Sequence, residues 1–406
     1  MSFRTLRSLD VAGRRVFVRV DFNVPLAPDG SVSDASRIEA TLPTLRYLLE
    51  KKARLIVASH LGRPKGKRDP KQSLKPVRER LERFLRQPVA FAEGIVGPEA
   101  EAAASALKDG EILLLENLRF DPREEANDPG LSEALARLAD VYVNDAFGAA
   151  HRAHASTVGM TVHLPERAAG FLMERELSAL GRLLGTAQAP FVAILGGAKI
   201  SGKIDVLQNL LPRVDRLVIG GGMLFTFLRA QGIATGGSLV EEDRIDMART
   251  LLAGPHASKI ILPTDCRAAA DIRGADPGRI VASDAIPADR AGVDIGPASL
   301  EMIAAVLAEA RTVFWNGPMG VFEVPAYAEG TVGVAREVAK ATKRGAFTVV
   351  GGGDSLAAVH QAGVASQISH CSTGGGASLE FLEGRILPGV AALEGPAVAK
   401  ESRTIV

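Results

Sequence analysis

FVAILGGAKISGKI, Phe191 to Ile204, reads as a strand that runs into a glycine turn and then toward a helix. FVAIL is apolar without alternation, the pattern of a strand covered on both faces of a parallel sheet. From Gly197 the run is G-A-K-I-S-G-K-I, close to the phosphate-loop pattern G-x-x-x-x-G-K, with Ile204 where a Ser or Thr would reach magnesium. It is therefore an altered phosphate loop, a different phosphate site, or a plain strand-to-helix turn with Ser201 as the helix cap. Lys199 and Lys203 lie four apart near a helix start and so can face the same way. Cations there oppose the helix dipole unless an anion is bound, which favours a phosphate site. Ile204 cannot ligate magnesium, which argues against a true phosphate loop.

The same kind of strand recurs along the chain. RVFVRV at 15–20, RLIVAS at 54–59, EILLLEN at 111–117 and VYVND at 141–145 come before residue 150. RLVIG at 216–220, KIILP at 259–263, TVFWN at 312–316 and FTVVG at 347–351 follow FVAIL. Segments with helical spacing separate them, such as ASRIEATLPTLRYLLEKK and EGTVGVAREVAKATKRG. Strand, helix, strand repetition predicts an α/β protein with doubly wound sheets. With about four strands early and about five late, length favours one sheet per half. LPERAAGFLMERELSALGRLL at 164–184 reads as one long helix connecting the halves, with Pro165 near its start, where proline is tolerated. GRPKGKRDPKQSLKP at 62–76 reads as a polar, mobile loop.

The ends of these strands carry the chemistry. In open parallel sheets, ligands bind beyond the carboxyl ends of the strands. The first half ends its strands in Asp21-Phe22-Asn23, His60-Leu61-Gly62-Arg63, Leu118-Arg119 and FGAAHRAH. Arginine forks of this kind suit phosphate or carboxylate. Strands of the second half run into Gly196-Gly197-Ala198-Lys199, Gly220-Gly221-Gly222, Asn316-Gly317-Pro318 and Gly351-Gly352-Gly353-Asp354. Such turns let backbone N–H groups and helix N-termini approach phosphates. Each residue also has a plainer reading. Asp354 can be a helix N-cap, and Arg37 or Glu323 a solvated charge. His151 and His154, three apart without partner ligands, are poor evidence for a metal.

Composition narrows the class. The chain has 406 residues, 47% apolar and 23% charged, with net charge +1. That balance fits a soluble globular protein, and nothing global argues for nucleic acid or membrane. MSFRTLRSLD has no apolar signal core, and no run approaches the ~18 apolar residues of a membrane span. Cys266 and Cys371 alone fit a reducing cytoplasm. No G-x-G-x-x-G follows a predicted strand, so a nicotinamide-dependent dehydrogenase lacks its fingerprint.

RVDFNVPL at 19–26, SHLGRP at 59–64, ENLRF at 116–120 with EEAND at 124–128, and NDAFGAAHRAHAS at 144–156 resemble motifs of the phosphoglycerate kinase family. GGAKISGKI, IGGGM, WNGPMGVFE, GGGDS and STGGGAS resemble its later motifs, in family order and over nearly the whole chain. The resemblance implies two doubly wound, Rossmann-like domains facing each other across a cleft and joined by a hinge helix. They would be a 3-phosphoglycerate-binding domain at 1–165 with the tail 390–406, the hinge helix at 166–184, and a nucleotide-binding domain at 185–389. The implied reaction is reversible phosphoryl transfer from 1,3-bisphosphoglycerate to MgADP, giving 3-phosphoglycerate and MgATP, a glycolytic step. The implied protein is a cytoplasmic monomer that works by hinge bending.

By motif, the phosphoglycerate would sit on Asp21, Phe22, Asn23, Arg37, His60, Leu61, Gly62, Arg63, Arg119 and Arg152. The nucleotide would sit on Lys203, Gly292, Asn316, Glu323, Gly352, Gly353, Asp354 and Ser355, with Asp354 on its Mg2+. Arg37, Lys199, Lys203 and the backbone at Gly375 and Gly376 would attend the transferring phosphoryl group. Two positions depart from the family pattern: Gly202, where the family usually has Asp, and Cys371 before STGGGAS. A non-catalytic two-domain protein closing on a phosphorylated ligand is the alternative, which nucleotide binding without turnover would favour. The mechanism suits what is missing: a carboxylate acceptor with a pKa of roughly 3.5 is already ionised, so no general base is needed.

Overall fold

The computed structural model describes residues 3–394. By its contacts the chain divides into two compact units, one running through Leu177 and resuming at Ile386, the other spanning Ser178–Arg385.

The first unit is built on six parallel strands: β1 (Arg15–Arg19), β2 (Arg54–Ala58), β3 (Ala90–Ala92), β4 (Ile112–Leu115), β5 (Val141–Asn144) and β6 (Arg167–Ala169). Their order is β3-β4-β2-β1-β5-β6. Every residue of β4 and β5 is buried, which is why these strands show no polar alternation. The apolar core gathers Val16, Val18, Leu55, Val57, Leu114 and Val143 beneath the helix Ser36–Glu50. The segment from Ile386 packs here too, with Leu387, Val390 and Leu393 buried and the Gly389 N–H donating to the Ala150 carbonyl at 2.8 Å. Of the tail expected at 390–406, residues 395–406 lie outside the described residues.

The second unit has its own parallel sheet: β7 (Phe191–Leu195), β8 (Arg216–Ile219), β9 (Ile260–Ile261), then, after the small sheet below, β13 (Thr312–Asn316), β14 (Phe347–Gly351) and β15 (His370–Ser372). The order is β15-β14-β13-β7-β8-β9. An antiparallel trio, β10 (Asp265–Ala269), β11 (Arg279–Ala282) and β12 (Ala291–Ile295), is ordered β11-β10-β12. Trp315 is fully buried and donates its indole N–H to the Gly317 carbonyl at 2.8 Å, tying the central strand to the turn that follows it.

The structure corrects three expectations. The long helix starts at Phe171 and ends at Gly185, so 164–170 is not helical. Arg167–Ala169 instead adds β6 to the sheet, pairing with Tyr142–Asn144, because its alanines are small enough to be buried beside β5. Loop 62–76 is pinned, since the Asn117 amide donates to the carbonyls of Leu61 and Gln72 at 2.7 and 2.8 Å. Glu116 also accepts from the Ser73 hydroxyl and the Leu74 N–H. Strands β3, β6, β10, β11, β12 and β15 escaped the sequence reading; they are short or interrupted by charged residues, so no long apolar run marks them.

Candidate functional site

In the first unit, the residues expected to bind substrate collect at the carboxyl ends of β1, β2, β4 and β5. Arg37 lies in the first turn of the helix Ser36–Glu50, and its guanidinium pairs with the Asp21 carboxylate. The Asp21 Oδ1 accepts from the Asn23 N–H at 3.1 Å and lies 4.0 Å from His60 Nε2. Asn23 Oδ1 accepts the Gly62 N–H at 2.8 Å. Arg119 donates to the Gly62 carbonyl at 3.0 Å, and Arg152 Nε to His151 Nε2 at 3.2 Å. Arg63 is exposed. The side chains of Phe22 and Leu61 are buried core, so only their backbones are available to a ligand.

Charge in this cluster is poised by burial against neighbours. Burial works against the Asp21 carboxylate, but the neighbouring positive charges, Arg37 and Arg19 among them, outweigh it and hold its pKa below the ordinary carboxylate value. Burial drives His60 the other way, well below the usual imidazole value, with Arg19, Arg119 and Arg37 reinforcing it against Asp21. The result is a cluster of permanent cations with one ionised carboxylate and one neutral imidazole, suited to an anion.

In the second unit, the glycine turns after β7 and β8 border a cavity of about 460 Å³ at the carboxyl end of the sheet. Glycine backbone at 197, 221, 222 and 292 lines it, with the apolar side chains Leu224 and Phe225. Glu323 and Asp354 add carboxylates to the lining. A slot with glycine backbone and apolar side chains accepts a flat ring, and a free carboxylate suits a phosphate-bound magnesium. Among the described residues no group of three or more His, Cys, Asp or Glu can hold a metal on its own. Asp354 is exposed in the first turn of the helix Gly353–Gln361, whose N-cap is Gly352, so it is not itself the cap.

The opening stretch resolves in an unforeseen way. The helix begins at Ile204 with Lys203 as its N-cap residue, and Ser201 caps nothing. Lys199 lies in the preceding turn, not the helix, so the two lysines do not share a helical face. The Lys203 ammonium donates to the carbonyls of Gly196 and Asn316 at 2.6 and 2.9 Å, while Lys199 is exposed. Carbonyls therefore hold the Lys203 cation, with no anion required. The N–H groups of Ile200 and Ser201 both point to the Glu241 carboxylate, which occupies the anion position of this turn. Burial lowers the Lys203 pKa to about 8, against the pull of Asp354.

Other expected residues serve the turns themselves. Asn316 is buried and donates to the Gly351 carbonyl at 2.8 Å. The buried Ser355 hydroxyl accepts the Gly317 N–H. Gly317 has φ +94°, and a Cβ there would fall 2.3 Å from Lys203 Nζ, so only glycine admits the lysine. Gly375, φ +53°, and Gly376 open the helix Gly376–Leu382 after β15 and do not line the cavity. Sequence reading missed Leu224 and Phe225, whose signal was only an apolar run after a glycine triplet. Glu241 was missed too, having no local signal at all.

Two parallel-sheet units, one with a cationic cluster and one with a glycine-lined cavity at its strand ends, define a two-unit α/β protein that handles phosphorylated ligands. A family profile described as Phosphoglycerate kinase matches residues 6–385. The Moorella thermoacetica phosphoglycerate kinase is 56% identical over 395 residues, covering 97% of this chain and 99% of the relative. That of Chloroflexus aggregans is 54% identical over 398 residues, with the same coverage. The phosphoglycerate kinase structure from Coxiella burnetii matches with TM-score 0.87 at 39% identity, covering 97% of this chain and 99% of that one. The chain belongs to the phosphoglycerate kinase family. It is thus a phosphotransferase of the glycolytic step between 1,3-bisphosphoglycerate and ADP, and the binding-protein alternative has no support.

Proposed function

We propose that the first unit holds the phosphoglycerate on the Asp21–Arg37–His60–Arg119 cluster with Asn23, Arg63 and Arg152. The second unit holds MgADP in the glycine-lined cavity, with Asp354 on the magnesium that the nucleotide brings. The observation that carries this is the contrast between the two sites. One is a wall of forked cations suited to a small dianion, and the other is a part-apolar slot suited to a base and ribose.

In the ATP-forming direction a β-phosphate oxygen of ADP attacks the acyl phosphate phosphorus. The bond from phosphorus to the carboxyl oxygen breaks, and the carboxylate leaves with its electron pair. No proton needs to move, because neither oxygen is protonated at neutral pH. Catalysis then rests on alignment and on positive charge about a loose, phosphoryl-like transition state. Lys199 is exposed on the nucleotide side, whereas the Lys203 ammonium already rests on two carbonyls. Arg37 and the backbone N–H groups at Gly375 and Gly376 complete the set.

Lys199→Ala tests the division of labour in steady-state assays of 3-phosphoglycerate phosphorylation, with the acyl phosphate reduced by NADH through a coupling enzyme. The expected result is a kcat loss of about 10³-fold, with KM for either substrate moving only a few-fold. A proportionate rise in KM with kcat unchanged would reduce Lys199 to a binding group.

A further inference from the structure

Arg19 closes β1 with its whole side chain buried, and the mechanism above leaves it without a task. A buried guanidinium needs partners to offset its lost hydration. Its Nε donates to the Ser156 hydroxyl at 2.8 Å, and one terminal nitrogen donates to the Val20 carbonyl. The other terminal nitrogen lies 3.3 Å from His60 Nδ1. Guanidinium has donors only and keeps its charge throughout the accessible pH range. His60 Nδ1 must therefore be the acceptor. A neutral imidazole that accepts at Nδ1 carries its proton on Nε2, the nitrogen on the Asp21 side, 4.0 Å from Oδ1.

We propose that Arg19 is a positioning residue that locks His60 into the neutral Nε2–H form, so that the ring offers the phosphoglycerate a hydrogen-bond donor and not a cation. This rests on the reading of His60 as a substrate-binding group. The groups facing the ring pull in both directions. Asp21 favours the imidazolium, whereas burial, Arg19, Arg119 and Arg37 oppose it, and the opposition wins. Geometry says the same thing independently, because a second N–H at Nδ1 would point at the guanidinium N–H. A neutral donor keeps its contribution constant where a free imidazole would titrate, around pH 6.5. It also adds direction to a cluster that already has permanent charge.

Long-range proton–nitrogen NMR on the full chain, labelled with ¹⁵N-histidine, reads the tautomer directly. The His60→Gln protein identifies the His60 signals among the seven histidines. The expected spectrum shows a protonated Nε2 and a bare Nδ1, unchanged from pH 8 to about 5.5, a full unit below the ordinary imidazole value. An Nδ1–H ring, or an imidazolium near neutrality, overturns the proposal, and this arm needs no change at Arg19. In Arg19→Met, checked for folding by circular dichroism, His60 should take a tautomer mixture and titrate toward its ordinary value. KM for 3-phosphoglycerate should then acquire a His60-linked pH dependence between about 5.5 and 7.5 that the native protein lacks. Arg19→Lys, which restores a donor-only cation, should recover the native tautomer. An unchanged tautomer in a folded Arg19→Met protein would show that something else locks the ring. Added 3-phosphoglycerate should shift the His60 Nε2–H signal. No shift, with the tautomer as stated, would sink the substrate-site reading and not the lock.

Discussion

Lys203 shows how a buried cation can be held ready by backbone alone. Its ammonium rests on two carbonyls at the ends of β7 and β13, and burial brings its pKa down to about 8. Above that value the folded protein loses the charge, while the nucleotide phosphates remain anionic. The ratio kcat/KM for MgADP, which reports the free enzyme, should therefore fall as pH rises through about 8. Lys203→Arg should move that limb upward or abolish binding by bulk, and an unchanged limb would assign it to another group. Gly202 makes the opposite kind of residue-scale prediction. A Cβ there meets nothing within 4 Å, and its backbone is not left-handed. Gly202→Asp should then be accommodated and place a carboxylate between the lysines, leaving the MgADP KM within a few-fold. A collapse of nucleotide affinity on titration calorimetry would show that this position matters more than its open surroundings imply.

Whole elements are placed by carboxylates that no local pattern announces. The helix Phe171–Gly185 has its first amides capped from β5's end: Asp145 Oδ1 accepts from the Leu172 and Met173 N–H groups at 2.8 and 3.1 Å. A Cβ at Gly170 would sit 2.2 Å from that oxygen, so the glycine lets the carboxylate reach the helix end. Burial raises the Asp145 pKa to about 6, against the hydrogen bonds from Thr44, Met173 and Leu172. Its folded value exceeds the unfolded ~3.9, so the folded state binds the proton more tightly. Its contribution to stability is therefore complete below about pH 4 and is lost as pH rises through 6. Asp145→Asn should flatten that loss in urea titrations between pH 4 and 6, while Asp145→Ala should cost about 1 kcal/mol for the missing cap. Equal pH slopes in the native and Asn proteins would remove Asp145 from the account. Glu241 does the same service for the turn at 200–201, where a carboxylate from far along the chain fills an anion position that local pattern reserved for phosphate.

At the scale of the molecule, two separate cores predict two separate responses to ligands. A ligand present at a hundred times its Kd stabilises the unit that binds it by about 2.7 kcal/mol. Hydrogen exchange should show MgADP alone slowing the core amides of Ser178–Arg385, β13 above all, by up to roughly a hundredfold. The strands β1, β2 and β4 should respond to 3-phosphoglycerate instead. Equal protection of both units by one ligand would contradict the assignment of one substrate to each.

The amino-acid sequence by itself determined the sheet strands buried on both faces, because a strand covered on both sides must be apolar throughout, and that is readable in FVAIL or RVFVR without neighbours. It also determined which turns carry glycine, since close backbone approach and left-handed φ exclude other residues locally. The cationic residues at the strand ends were legible for the same reason: topology puts strand ends where ligands bind. What only the tertiary structure decided is partnership. Nothing near residue 200 says that Glu241 will take its amides. Nothing near His60 says that a buried Arg19 will choose its tautomer, and the alanines of β6 do not announce a strand. Partners far apart in sequence leave no periodic trace, and a three-residue strand is stabilised by its neighbour's hydrogen bonds more than by its own composition.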